Sequence, residues 1–408
     1  MADPGEKPYR IYRGGRAKGT VPLARLDREE RRSARVDGGG PGKIVERDPR
    51  KRWSPRRWSW KRWVPIGLAV LVLLFAIWGA AGYIAVSSGV SAAHGRLPAG
   101  TAATLKPDSG LLLSSPTNIL LLGTDHSTNG QAGRSADQHS DSMMLLRTDP
   151  GRHRLIYLSI PRDLRAAIPG AGDQKINAAM QIGGPPLAIR TVEAYTGLPI
   201  NHVVVVDFGS FEKLIDAVGG IDVNVPENIL SNKFDCPFPA SKCGAWPGWR
   251  FHKGVQHMDG HRALIYSRIR ENQLNPADTD ISRGEHQQQV MQATLSKLAS
   301  VSTFFNLPFS GGSLLAPIAT DLSTWDFVQL GWVKFRASAG NTLHCRLGGS
   351  ATDIGGGSYI VGGPGNIQVI QEVLGNSAPQ PPSASDGLYA PGCLVGTSTP
   401  TAKTTTTG

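Results

Sequence analysis

Three catalytic signatures are missing from this chain of 408 residues. It has no G-x-x-x-x-G-K-S/T loop to cradle nucleotide phosphates, no G-x-S-x-G elbow for a serine nucleophile and no H-E-x-x-H helix for zinc. Those absences leave P-loop hydrolysis, elbow-type ester hydrolysis and zincin proteolysis without support. Cysteine is scarce: Cys236, Cys243, Cys345 and Cys393 are all there are. No C-x-x-C pair and no histidine ligand spacing accompanies them, so a structural zinc site is also unsupported. Charge is missing from Val64 to Val86, a run of 23 residues. A net charge is missing from everything after residue 63, where Lys/Arg and Asp/Glu number 24 each. The chain's whole excess of +11 lies in residues 1–63, with 19 Lys/Arg against 8 Asp/Glu. The pI near 9.6 therefore describes the leader and not the folded part.

The uncharged run is long enough to cross a hydrocarbon core of about 30 Å as a helix. Trp58, Trp60, Trp63, Trp78 and Tyr83 stand near its ends like interfacial anchors. Lys51, Arg52, Arg56, Arg57, Lys61 and Arg62 crowd its N-terminal side, which orients residues 1–63 to the cytoplasm and the large C-terminal part outside. A cleaved signal peptide is the alternative, but its apolar region is shorter and its leader far shorter than the one here. The basic run is read as a topology signal beside a membrane, and no nucleic-acid partner is expected. All four cysteines fall on the exported side, where disulfides form. Four cysteines allow three pairings; closeness in sequence favours Cys236 with Cys243, leaving Cys345 with Cys393.

Residues 1–63 are rich in Arg, Gly and Pro, a composition that predicts a disordered basic cytoplasmic tail. Residues 64–86 form the span and 87–116 a connector. From Thr117 the pattern is α/β. Asn118–Gly123, Ser142–Thr148, Leu155–Ile160, Asn201–Val206 and Ile221–Val225 read as strands. Pro186–Tyr195, Phe208–Val218, Gly260–Arg268 and Arg283–Ser300 read as helices. Alternation of this kind predicts a three-layer α/β/α arrangement, a sheet covered on both faces. A domain at 117–300 is followed by an α/β extension at 301–375. There, Trp325–Arg336 and Asn366–Val373 read as helices and Leu343–Cys345 and Ser358–Val361 as strands. Residues 376–408 are Ser/Thr/Pro-rich and read as a flexible tail that Cys393 can pin.

The chemistry-bearing residues sit at the ends of these elements. Asp125 follows one strand and Asp141 begins the next, where ligands of open α/β sheets gather. Two carboxylates completed by phosphate oxygens suit Mg²⁺, or Mn²⁺, better than zinc; turn aspartates without a ligand are the bland alternative. Arg162 and Asp163 end the run LSIPRD and form the candidate catalytic pair, the acid positioning the guanidinium or acting as base. A solvated surface pair is the competing reading. Lys175 and Asn177 stand at a helix start, where they can bind an anion or cap the helix. Arg268 and Arg270 close one helix; Arg283 and Gln287 lie one turn apart on the next. Together they make a candidate pyrophosphate clamp, against the plainer reading of a charged helix face. The triplet Asp278-Thr279-Asp280 also occurs in some metal-dependent glycosyltransferases, but three residues recur by chance.

The segments NILLLGTD, SDSMMLLR, SIPRD, KINAA, TGLPINHVVVVDF, LIDAVGGIDVNVP, HMDGHRALIYSRIR and DISRGEHQQQ, in this order, resemble the LytR-CpsA-Psr family over roughly 45% of the chain. The resemblance implies a Mg²⁺-dependent transferase that moves a glycopolymer from a polyprenyl-pyrophosphate carrier to peptidoglycan, leaving a phosphodiester. It implies metal binding by Asp125 and Asp141. Phosphate binding would fall to Arg162, Arg268, Arg270 and Arg283 with Gln287, and an apolar cavity between sheet and helices would take the prenyl chain. His139 and His286 stand where many members carry arginine; protonated, either histidine can still donate to phosphate. A carrier pyrophosphatase and a non-catalytic wall-binding or attenuator-type regulator are the rival expectations.

Overall fold

The computed structural model describes residues 60–124, 140–275, 280–298, 300–383 and 389–396. A seven-stranded mixed sheet forms its centre. In chain order the strands are β1 (Thr117–Thr124), β2 (Ser140–Asp149), β3 (Arg154–Ile160), β4 (His202–Asp207), β5 (Ile318–Thr320), β6 (Leu343–Arg346) and β7 (Gly392–Val395). They lie in the order β5-β4-β1-β2-β3-β6-β7. The pairs β1–β4 and β3–β6 are parallel, and β1–β2, β2–β3, β4–β5 and β6–β7 are antiparallel. Thus β1, β3, β4 and β6 all run the same way, and their C-terminal ends share one edge with the start of β2.

Helices cover both faces, which is why β1 reads as an unbroken apolar run and not as an alternation. On one face Leu120, Leu122, Ile156 and Leu158 pack under α2 (Ala178–Thr196) and α8 (Pro364–Leu374), through Ile189, Val192, Val369 and Val373. On the other, Ile119, Leu121, Met144, Leu155 and Tyr157 meet Met291 and Leu295 of α5 (Asp280–Leu298) and Phe327, Leu330 and Val333 of α7 (Thr324–Arg336). The valines of β4 divide between the faces: Val203 and Val205 join the first cluster, Val204 the second. A third cluster holds α3 (Phe208–Ala217), α4 (Gly260–Arg268) and the hairpin of Ile221–Val225 with Gly254–Met258.

Sequence periodicity starts the second helix at Pro186, whereas α2 begins at Ala178. Gly183 and Gly184 break its interior, Gly184 with φ +61°, and Pro185-Pro186 start the second segment. Proline is tolerated there because a first helical turn needs no N–H donor. A helix absent from the sequence reading, α6 (Val301–Leu315), follows α5. One helix among the described residues is long and apolar enough to cross a membrane: α1 (Trp60–Arg96), which continues ten residues beyond Val86.

Both expected disulfides are present. Cys236–Cys243 closes a small loop of seven-residue separation, and Cys345–Cys393 joins register partners on β6 and β7 across 48 residues. The chain-entropy model assigns the longer loop about 4 kcal/mol and the shorter about 2 kcal/mol. The segment after residue 375, read as a flexible tail, thus contributes the sheet's edge strand.

Candidate functional site

Of the expected residues, the shared edge of β1, β3, β4 and β6 carries the backbone of Asp141 and, just past β3, Arg162 with Asp163. Thr124 is opposite Ser140, while Gly123 is opposite Ser142, so Asp141 is the extra residue of a bulge. Bulges beside sheet ends re-aim a side chain away from the ladder. Asp125, one residue past β1, lies outside the described residues, as do His139, Asp278 and Thr279. The side chains of Asp141 and Arg283 are likewise not described, though their backbones lie in β2 and α5.

Arg162 follows β3 by two residues, on the strand next to β2. Its Nε donates to Asp163 Oδ2 at 3.3 Å, and Lys175 Nζ donates to Asp163 Oδ1 at 2.7 Å. Asp163 therefore holds two cations with its two oxygens, an arrangement for positioning. The backbone around it is pinned from both sides. Asn177 N donates to Arg162 O, Ile176 N to Leu164 O and Ile360 N to Asp163 O, at 3.2, 2.8 and 2.9 Å. Arg162 is thus fixed by a braced turn, which reduces the reorganisation needed when an anion arrives. Asn177 occupies the helix start without a side-chain cap, and Lys175 spends its charge on Asp163 and also lies over the Tyr359 ring.

The second group lies on α4 and α5. Arg268 ends α4, pairs with Asp235 and lies over the Phe234 ring. Ile269 is buried, so Arg268 and Arg270 flank an anchored residue, with Arg270 exposed. Gln287 is half-buried on α5. The helices α4 and α5 meet through Tyr266, whose hydroxyl donates to Gln289 Oε1 at 2.6 Å and whose ring lies 4.3 Å from His286.

His286 does not do what the resemblance allowed. It is buried, bonded to the Ile269 backbone, and its Nδ1 meets no hydrogen-bond partner among the described residues. Burial pushes its pKa down to about 3. A neutral ring packed on Tyr266 cannot serve as a phosphate-binding cation; it is a packing residue. Burial likewise pushes His344, stacked on Tyr157 and bonded to Gln292, down to about 4. Both rings gain protons more readily when unfolded. Their stabilisation is complete above pH ~6.5 and is lost as pH falls toward the folded values, at about 1.4 kcal/mol per pH unit for each ring. Urea melts at pH 7 and pH 5 should show a clear fall in midpoint at pH 5, and His286→Gln should flatten that acid limb. Equal midpoints would refute the neutral assignment.

Arg346 was missed by sequence reading. It ends β6, opposite Ser159 of β3, and so reaches the same edge as Arg162. Its side chain is 7% exposed and donates to Glu285 of α5 at 3.3 Å and twice to the Ala390 carbonyl at 3.3 and 2.9 Å. This pair ties the sheet edge to the helix that carries Arg283 and Gln287. The signal was available: Arg346 directly follows Leu343–Cys345, read as a strand, much as Arg162 follows Leu155–Ile160.

Fold and edge together define a three-layer α/β/α protein whose strand ends carry Arg162, Asp163 and Arg346. Residues 93–372 match the LytR_cpsA_psr family, and the chain belongs to it. The chain is 30% identical over 351 residues to a polyisoprenyl-teichoic acid–peptidoglycan teichoic acid transferase TagU of Oceanobacillus iheyensis, covering 83% of this chain and all of that one. Among solved structures it is similar to TagV of B. subtilis, with a TM-score of 0.51 and 28% identity over 64% of this chain and 96% of the other. TagT bound to LIIa-WTA gives a TM-score of 0.50 and 26% identity over 66% and 94%.

Proposed function

We propose that this chain is a membrane-anchored transferase. It moves an anionic glycopolymer from a polyprenyl-pyrophosphate carrier to peptidoglycan and leaves the two joined by a phosphodiester. The observation that carries this reading is the meeting of the Asp141 bulge, the braced Arg162 and the buried Arg346 at one sheet edge. The names of the relatives agree with it: TagU is named a teichoic acid transferase to peptidoglycan, and TagT was solved bound to LIIa-WTA. The helix α1 is the anchor. The lysines and arginines before it keep residues 1–63 in the cytoplasm, so the domain works at the outer face.

A sugar hydroxyl of peptidoglycan attacks the phosphorus that bears the glycopolymer. A new P–O bond forms, the bond to the bridging oxygen breaks, polyprenyl phosphate departs and the hydroxyl proton is released. Arg162, with Arg268, Arg270 and Arg283, binds the phosphoryl oxygens where negative charge grows, and Gln287 adds a hydrogen bond. Asp163 is the positioning residue for Arg162. The bulge at Asp141 opens the ladder where Asp125 follows β1, and such an oxygen-only pair fits Mg²⁺ or Mn²⁺. When bound, that ion neutralises charge on the diphosphate.

The test is product analysis by mass spectrometry. The full chain is incubated in detergent with Mg²⁺, a lipid-pyrophosphate-linked oligosaccharide and peptidoglycan fragments. A sugar-phosphate adduct on the wall fragment is expected, and it should be missing with Asp141→Ala. Release of free sugar phosphate instead would make the protein a phosphatase and overturn the transfer.

A further inference from the structure

The helix α6 is not needed by the site, yet it has an unusual place in the fold. It runs beside the outward part of α1 and in the same direction. Trp78 Nε1 donates to Phe305 O at 3.2 Å, with the two rings 5.7 Å apart. Farther along, a Cβ on Gly82 would lie 3.5 Å from Leu307 Cβ, and one on Gly311 would lie 2.9 Å from Val86 Cγ2. At Gly89 a Cβ would lie 2.9 Å from Leu315 Cβ. Small residues at such a seam let two helices approach closely, as they do within membranes.

That register fixes a depth. Trp78 precedes Val86, the end of the apolar run, by eight residues, or about 12 Å of helix, which sets it deeper than the interfacial place its indole suggests from sequence. Phe305 is level with Trp78, so the first half of α6 lies alongside the part of α1 that would be inside the bilayer. The composition suits that place: the 23 residues from Leu298 to Thr320 contain no charge. The exposure pattern does too. Leu314 and Leu315 are buried against the protein, whereas Phe305 is 57% and Phe309 87% exposed. An aqueous domain has no reason to expose two phenylalanine rings level with a transmembrane segment.

We propose that the N-terminal half of α6, residues 302–309, is embedded among lipid acyl chains in the leaflet on the domain's side. The inference rests on the reading of α1 as a membrane span. It makes α6 a second membrane element that seats the domain against the leaflet at one height, instead of leaving it to swing on α1 alone. A lipid-borne diphosphate would then meet the Arg162 edge without a search in depth.

The test uses the full chain in nanodiscs of phosphatidylglycerol and phosphatidylethanolamine. Because the four native cysteines are all disulfide-bonded, a new thiol can be labelled alone with an environment-sensitive fluorophore. Phe309→Cys is the probe. Leu74→Cys on α1 is the membrane reference, and Val255→Cys, 72% exposed on a hairpin, is the aqueous reference. Nitroxide-bearing lipids should quench the labels at 309 and 74 alike, while an aqueous quencher reaches only 255. Quenching at 74 with 309 behaving like 255 overturns the inference and leaves the span intact. Shielding of 309 from water without lipid quenching overturns it in favour of a second protein chain. Failure of lipid quenching at 74 removes the span reading, and the inference with it.

Discussion

Arg162→Ala is expected to reduce glycopolymer transfer about a thousandfold, the loss typical of removing one preorganised charge-stabilising group at a reacting centre. Such a loss corresponds to about 4 kcal/mol of transition-state stabilisation. The fold should survive it. Arg162 lies on a partly exposed turn whose backbone hydrogen bonds to Asn177 and Asp163's bond to Ile360 do not involve its side chain. The thermal midpoint should therefore move little while turnover collapses. Arg162→Lys keeps the charge but loses the fork that donates to Asp163 and can grip two oxygens at once, so it should recover only part of the rate. Asp163→Asn should fall between wild type and Arg162→Ala. It keeps the shape but leaves Arg162 and Lys175 side by side without the carboxylate that holds both. Transfer by Arg162→Ala within threefold of wild type would sink the assignment of Arg162.

The strands of this site were legible because burial on both faces makes them continuous apolar runs, and Asp141 and Arg162 fall at the ends of those runs, whereas Asp125 lies outside the described residues. What escaped depended on contacts distant in sequence. The helix α6 contains Pro308, Gly311 and Gly312, each unfavourable in a helix interior by local propensity. Those glycines are what permit its close approach to α1. No local pattern reports that approach. His286 looked like a phosphate donor because the resemblance sets it where many family members carry arginine, and only the packing of Tyr266 over it shows that the ring is dry. Arg346 lies more than 180 residues from Arg162 and reaches the same edge through the parallel pairing of β3 with β6. The tail escaped for a related reason: a short strand registers as one only when a disulfide and a neighbouring strand hold it.

Loss of the Arg346–Glu285 bridge is expected to be the costliest single structural change at the site. Both side chains are largely buried, 7% and 18% exposed, and breaking a buried ion pair by removing one partner costs about 3–5 kcal/mol. Burial lowers the pKa of Arg346 and the charge of Glu285 opposes that shift, so the pair is the arrangement that makes a cation tolerable there. Arg346→Ala also takes both of its donors from the Ala390 carbonyl, two residues before β7 begins. In a domain of this size the thermal midpoint should fall by about 10 °C. Replacing both charges, as Arg346→Met with Glu285→Leu, should recover most of that, because an apolar pair of similar volume avoids desolvating two ions. Catalysis should separate from stability in these variants. Since Glu285 shares α5 with Arg283 and Gln287, the double variant should melt near wild type yet transfer slowly, its clamp helix no longer tied to the end of β6. A shift of less than 2 °C in Arg346→Ala, or full transfer in the double variant, would show that the bridge does not position α5.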